Sequence, residues 1–118
     1  YDLRKPRTMR DENGAGVDYD MGLVLDNGRK FSEPLATVVS PDKDLTLKLW
    51  SDRPGVQFYN AVWTDMKMPG LEGKIYGKHS GFCLEDQCPA DALHNPHFPN
   101  IICGPDKPYS HWCEIEIS

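Results

Sequence analysis

Residues 45–49 read Leu-Thr-Leu-Lys-Leu, and this stretch decides the fold because its three leucines share one side of an extended chain. Alternating apolar and polar residues are typical of a strand with one buried face. The tail repeats the pattern over residues 109–117, where one side carries Tyr109, His111, Cys113, Ile115 and Ile117. No long stretch keeps the 3.6-residue period of a helix, so the sequence predicts an all-β protein.

Shorter strands are predicted at residues 19–25, 35–40, 55–62 and 81–84, between turn signals that contain Gly or Pro. Asn27-Gly28 is one of these signals, and it favours a tight hairpin of the primed type after the first strand. Several short strands at this spacing are typical of a sandwich or barrel of antiparallel strands.

The alternation stops over residues 86–108, which hold five prolines and predict a long loop. Loops longer than about 12 residues without regular structure are uncommon unless they are functional. Glu85 lies where the strand at 81–84 runs into this loop. A carboxylate at a strand end beside apolar side chains can accept a proton near neutral pH. Taken alone, a solvated loop glutamate is the simpler interpretation.

Composition excludes several classes of protein. The net charge is -5, which gives no general support for binding nucleic acid. The basic residues between Arg4 and Arg10 precede Asp11 and Glu12 and are typical of a solvated loop. No apolar run approaches the roughly 18 residues that span a bilayer, and no signal-peptide core is visible. We therefore expect a cytoplasmic protein with neither nucleic-acid nor membrane partners.

The cysteines and histidines do not form a metal-site pattern. Cys83, Cys88, Cys103 and Cys113 are separated by four, fourteen and nine residues, without the C-x2-C pairs of a zinc site. Free or buried thiols are therefore expected, although four cysteines would permit three disulfide connectivities in a secreted protein. His94 and His97 lack a third ligand in their proline-bounded loop. Nucleotide, kinase and hydrolase motifs are also absent, so we expect neither metal nor cofactor.

Several strings of sequence together resemble one family. Residues 78–85 read KHSGFCLE and are followed, at matching spacing, by Gln87, Asp91, Pro96, Phe98 and Pro99. Residues 53–59 read RPGVQFY, and residues 16–19 read GVDY. In this order they resemble the aldose 1-epimerase (galactose mutarotase) family over nearly the whole chain. The resemblance implies a large twisted β-sandwich of antiparallel strands, of which residues 1–118 form the C-terminal portion of a single domain.

The resemblance also implies a reaction and its residues. Glu85 would act as general base and take the proton from the C1 hydroxyl of a hexose such as galactose or glucose. A histidine would protonate the ring oxygen, after which the ring opens, the C1–C2 bond rotates and reclosure gives the other anomer. Asp18 and Gln57 would bind sugar hydroxyls. Without the resemblance, Asp18 is typical of an Asx turn and Gln57 of a solvent-facing strand residue.

The acid histidine has no counterpart in this sequence. None of His79, His94, His97 and His111 lies in a matching motif, and His79 is expected to orient the strand end. This chain alone should therefore be inactive. Because it begins at Tyr1 rather than Met, we expect the missing N-terminal part of the fold in cis or as another chain.

Other departures leave the function open. Asp86 stands where the family usually has Thr, and its charge could perturb Glu85. Asn60-Ala61-Val62 replaces the usual Thr-Gly-Asn. A noncatalytic carbohydrate-binding or scaffold subunit derived from a mutarotase is therefore an alternative. A secreted, disulfide-linked lectin-like domain is a third.

Overall fold

The computed structural model describes residues 2–118 and confirms the all-β class. In chain order, its strands are β1 (Asp20–Val24), β2 (Ala36–Val39), β3 (Thr46–Ser51), β4 (Gly55–Tyr59), β5 (Cys83–Gln87) and β6 (Cys113–Ile117). Two short 3-10 helices lie at Leu71–Gly73 and Ala92–His94. No helix in this part of the chain is long and apolar enough to cross a membrane.

The six strands form two sheets of three. One sheet has the order β1-β4-β5 and the other β2-β3-β6. In the second sheet both neighbouring pairs are antiparallel, with Leu49 opposite Ala36 on β2 and Ile115 on β6. Leu47 and Leu49 therefore lie on one side of β3, as the alternation predicts, but Leu45 lies before the strand and is 56% exposed.

The chain divides into two compact units, each built from two segments. The first runs to Met21 and resumes over Phe58–Cys83, and the second comprises Gly22–Gln57 and Leu84–Ser118. In the first unit Tyr19 is fully buried and its ring centroid lies 5.0 Å from that of Phe58. The second unit buries Leu49, Val56 and the hydroxyl-bearing Ser51. Each unit therefore has a small core of its own.

The predicted strand at 81–84 is misplaced. β5 begins at Cys83 and continues through Glu85 to Gln87, so Glu85 lies inside a strand rather than in a loop. A turn closed by the Ser80 amide on the Gly77 carbonyl occupies the preceding residues and delays the start of the strand. The loop that was predicted over residues 86–108 therefore begins at residue 88 in the structure, two residues later than predicted.

β1 and β2 each lack one predicted residue at either end, and two further strands are shorter by at least three residues. β4 ends at Tyr59 rather than at residue 62, because Ala61 adopts a left-handed conformation with φ of 58°. β6 covers only the last five residues of the predicted 109–117 strand. Ahead of it the Ser110 carbonyl accepts a hydrogen bond from the Arg53 guanidinium, so this backbone group bonds to a side chain instead of a neighbouring strand.

The hairpin predicted at Asn27-Gly28 is wrong. β1 and β2 belong to different sheets, and neither central residue has the positive φ that a primed turn requires. The turn is instead closed by the Arg29 amide on the Asp26 carbonyl at 3.2 Å. The Arg29 guanidinium bonds the Ser51 carbonyl at 2.7 Å, which ties the turn to the end of β3. Tertiary contacts thus override a local turn signal.

We predict that Ala61→Gly stabilises the protein. A left-handed conformation costs an L-residue about 1–2 kcal/mol, while the extra freedom of Gly in the unfolded chain returns about 0.4–1 kcal/mol. The free energy of unfolding, measured by urea titration, should rise by about 0.5 kcal/mol. The control Ala36→Gly lies in β2 without positive φ and should lower it by about 0.5–1 kcal/mol. Equal losses in both variants would contradict the assignment of strain to Ala61.

Candidate functional site

Glu85 and Asp86 are neighbours on β5 and extend to opposite sides of it, because successive strand residues alternate. Asp86 points towards the interior of the second unit, where its Oδ2 accepts a hydrogen bond from the hydroxyl of the buried Ser51. His111 Nε2 lies 2.6 Å from the same oxygen. The Glu85 side chain therefore lies on the outer side, where it is exposed, and it makes no hydrogen bond or ion pair with any other residue in 2–118.

Asp86 is the centre of an interior polar cluster. Burial opposes ionisation of its carboxyl, but the hydrogen bonds from Ser51 and His111 outweigh burial and lower its pKa. Burial also raises the pKa of the nearby Cys113 thiol, as does the negative charge of Asp86. The Ser51 hydroxyl additionally accepts the Arg53 amide at 3.0 Å. The cluster keeps Asp86 charged, with hydrogen-bond donors around it.

Gly55 at the start of β4 allows three strands to approach closely. A Cβ atom at this position would lie 3.0 Å from the Leu23 carbonyl oxygen and 3.3 Å from the Gln87 carbonyl oxygen. Gly55 thus has β1 on one side and β5 on the other, in agreement with the order of the sheet. A larger residue at this position would push the strands apart.

Gln57 lies on the same side of the sheet as Glu85. Val56 is buried in the second unit, so alternation turns Gln57 to the outer side of β4, where it is half-buried. β4 and β5 are neighbours, and the first residue of one lies against the last residue of the other, as in an antiparallel pair. The side-chain oxygen of Gln57 also lies over Gly22 of β1. The structure therefore brings Gln57 and Glu85 together on one outer face.

Asp18 lies in the first unit and is exposed. Its Oδ2 accepts the ammonium of Lys78 at 2.8 Å, and its Oδ1 lies 2.8 Å from Nε2 of His79. The hydrogen bonds from Lys78 and, secondly, His79 lower the pKa of the carboxyl, so it is ionised near neutral pH. The carboxylate thus bonds side chains about sixty residues away instead of forming the local Asx turn considered from the sequence. His79, which was expected to orient the strand end, thus bonds Asp18 directly.

Three residues near these side chains escaped the sequence analysis as partners: Ser51, Asn60 and His111. Asp86 was recognised as unusual, but nothing in the local pattern indicates that its partners lie 35 residues before it and 25 after it. Asn60 appeared only as a departure from a motif. Its side chain is almost fully buried and bonds the backbone of residues 17 and 19. These contacts are tertiary and leave no periodic signal.

The cysteines form no disulfide, and the described residues offer no metal site. All four cysteines are free. Within residues 2–118, no group of three or more His, Cys, Asp or Glu side chains is arranged to hold a metal ion. His94 is exposed and bonds Asp91 in the loop after β5.

Comparison with known proteins identifies consistent relatives. The family model described as aldose 1-epimerase matches residues 1–116. The galactose mutarotases of Rattus norvegicus and Bos taurus are each 34% identical over 124 residues, an alignment that covers 100% of this chain and 35% of each relative. The crystal structure of an aldose epimerase homologue from C. elegans has a TM-score of 0.63 at 24% identity, covering 86% of this chain and 29% of that one. That structure confirms the predicted fold class, and the chain spans about a third of the length of these relatives.

We predict that Asp86→Asn destabilises the protein in a pH-dependent way. The folded-state pKa of Asp86 lies below its unfolded value near 3.9, so its stabilisation is complete above that value and is lost as the pH falls through the folded-state pKa. The variant should lose about 1–2 kcal/mol of unfolding free energy at neutral pH and match the parent in strong acid.

Chemical denaturation from strong acid to neutral pH measures the difference in unfolding free energy between Asp86→Asn and the parent. The control Asp42→Asn changes an exposed turn residue and should stay within about 0.5 kcal/mol of the parent throughout. A constant difference between Asp86→Asn and the parent at every pH would contradict the role of the charge.

Proposed function

The chain belongs to the aldose 1-epimerase family, and we propose that it carries the general base of a mutarotase that interconverts the α and β anomers of a hexose such as galactose or glucose. The observation that carries this proposal is the outer face shared by Glu85 and Gln57. There, a carboxylate that makes no side-chain hydrogen bond within residues 2–118 lies on the strand next to a hydrogen-bonding amide. The galactose mutarotases among its relatives support galactose as the first sugar to test.

Glu85 is suited to proton transfer because its carboxylate is accessible and is not hydrogen-bonded to another side chain in the described part of the chain. In the proposed reaction it takes the proton from the C1 hydroxyl while an acid protonates the ring oxygen. The ring C1–O5 bond then breaks, the aldehyde rotates about C1–C2, and reclosure from the other side reverses both proton transfers. Each proton returns, so the reaction needs no oxidant and no external group. Acid and base each contribute about 10² to 10⁴ in rate to such reactions.

Gln57 and Asp18 are the proposed sugar-binding residues. The amide of Gln57 can both donate and accept, which suits a hydroxyl that does the same. Asp18 is held ionised and can accept protons from hydroxyls. A site that pairs individual hydroxyls discriminates strongly against sugars that lack them, because its polar groups would be left unpaired.

We place the proton donor in the part of the fold that this chain does not include. The chain spans about a third of its relatives' length, and none of its four histidines matches the acid motif. The second sheet also has an incompletely covered apolar side: Ile115 is 60% exposed although it lies opposite Leu49, which is buried. The N-terminal part of the family fold, in cis or as another chain, would cover this side and supply the acid histidine. The cytoplasmic location stays a prediction.

Glu85→Gln should abolish most of the activity of the complete protein. The amide keeps the size of the side chain but cannot accept the C1 proton, so we expect kcat to fall by a factor of about 10² to 10⁴. Polarimetry on freshly dissolved α-galactose measures this rate. The control Glu114→Gln changes another exposed strand glutamate, on β6, and should keep full activity. If the optical rotation of the sugar changes as fast with Glu85→Gln as with the parent, Glu85 is not the base. Sugar binding without anomer exchange in the parent would instead favour the noncatalytic subunit.

The 118-residue chain alone should not raise the rate of mutarotation above the spontaneous rate, and activity should return when the segment that completes the family fold is supplied. We expect Ile115→Lys to weaken association of the two parts by about 100-fold or more, since it would bury an unpaired charge. Sedimentation measures the association. Glu114→Lys, on the opposite side of the same strand, is the control and should associate normally. Normal association of both variants would contradict the proposed interface, and full activity of the isolated chain would contradict an external proton donor.

A further inference from the structure

The carboxylate of Asp18 is hydrogen-bonded by two side chains, Lys78 and His79, which differ in flexibility. Lys78 approaches Oδ2 on a flexible stem and is 53% exposed. The His79 ring approaches Oδ1 and is 28% exposed. Exposed lysine pairs contribute little and hold geometry poorly, because the side chain has many rotamers. His79 is therefore the candidate for fixing the orientation of the carboxylate.

His79 has very little freedom to move. Its ring packs so closely on Gly16 that a Cβ atom there would lie 2.5 Å from Nδ1. Its backbone amide donates to the Ala61 carbonyl at 3.1 Å, and its own φ of 62° is left-handed. His adopts this conformation more readily than most residues, and here the ring contact and the backbone hydrogen bond hold it there. The imidazole is thus preorganised before any ligand arrives.

The backbone on both sides of Asp18 is fixed as well. Asn60 is 4% exposed, and its side-chain oxygen accepts the Tyr19 amide at 2.9 Å. Its side-chain nitrogen donates to the Val17 carbonyl at 2.8 Å. One buried amide therefore brackets Asp18, and the next residue, Ala61, anchors His79. The same two-residue segment controls both the backbone and the side chain of the acidic residue.

We propose that His79 is a positioning residue for sugar binding, which acts by holding Oδ1 of Asp18 so that the carboxylate presents its remaining lone pairs to a sugar hydroxyl. An ionised carboxylate offers about four acceptor positions, of which His79 and Lys78 occupy two. This inference rests on the proposed sugar-binding role of Asp18. It adds that the affinity of that residue depends on an imidazole which itself does not touch the sugar.

A double-mutant cycle in the complete protein tests the coupling. His79→Asn keeps a residue that tolerates the left-handed conformation but is too short to reach Asp18, whereas His79→Gln keeps a donor at similar reach. We expect His79→Asn to raise KM about tenfold with kcat little changed, and His79→Gln to restore most of the affinity. Asp18→Asn should raise KM at least as much, and the double variant His79→Asn/Asp18→Asn should match Asp18→Asn alone.

Two further measurements separate positioning from folding and binding from catalysis. Galactose affinity is measured by calorimetry in the Glu85→Gln background, so that binding is read without turnover. Thermal unfolding should show similar stability for His79→Asn and His79→Gln. The matched control is His94→Asn, which removes an exposed histidine that bonds a different aspartate, Asp91, and should leave KM and affinity unchanged.

The outcomes distinguish this inference from the function on which it rests. If Asp18→Asn leaves KM and affinity unchanged, or the parent binds no galactose, the sugar-binding role of Asp18 fails and the inference falls with it. If Asp18→Asn weakens binding but His79→Asn does not, only the positioning role is overturned. If the factors by which the two single substitutions raise KM multiply in the double variant, the positioning role is also overturned, because His79 would then act independently of Asp18.

Discussion

The hydrogen bonds that Asp86 accepts inside the second unit determine which side of β5 faces outwards. Ser51 at the end of β3 and His111 just ahead of β6 both bond the same carboxylate oxygen. Once Asp86 is held inside, the two-residue period of the strand leaves Glu85 only the outer side. The geometry of the proposed reaction thus depends on an interior cluster that contains none of the reacting atoms.

The same cluster explains how an acidic residue is accommodated beside a proposed base. A buried carboxylate is costly unless hydrogen bonds satisfy it, and Asp86 has the Ser51 hydroxyl and the His111 ring as partners. Its charge is further separated from Glu85 by the strand, since the two side chains extend to opposite sides. Adjacent strand residues are neighbours along the chain but not on a face.

Sequence patterns predicted the strands whose two sides differ in polarity and failed where they do not. Residues 45–49 were recognised as a strand because alternating leucines report the buried side directly. β5 was misplaced because Glu85-Asp86-Gln87 is polar on both sides, and the inner residue is satisfied by partners distant in the sequence. The resemblance, not periodicity, selected Glu85, Gln57 and Asp18. The structure adds that Gln57 and Glu85 share a face, which no local pattern contains.

The segment Asn60-Ala61 shows why a departure from a motif can be informative. Asn60 stands where the resemblance noted from the sequence has Thr, and its amide uses two separate atoms, the nitrogen donating to the Val17 carbonyl and the oxygen accepting from the Tyr19 amide. Ala61 stands where the resemblance has Gly, and it adopts a left-handed conformation that favours glycine. Its carbonyl anchors His79, which is also left-handed. Two left-handed residues therefore lie in the small network around Asp18, where the Ala61 carbonyl and the close packing on Gly16 hold His79 in place.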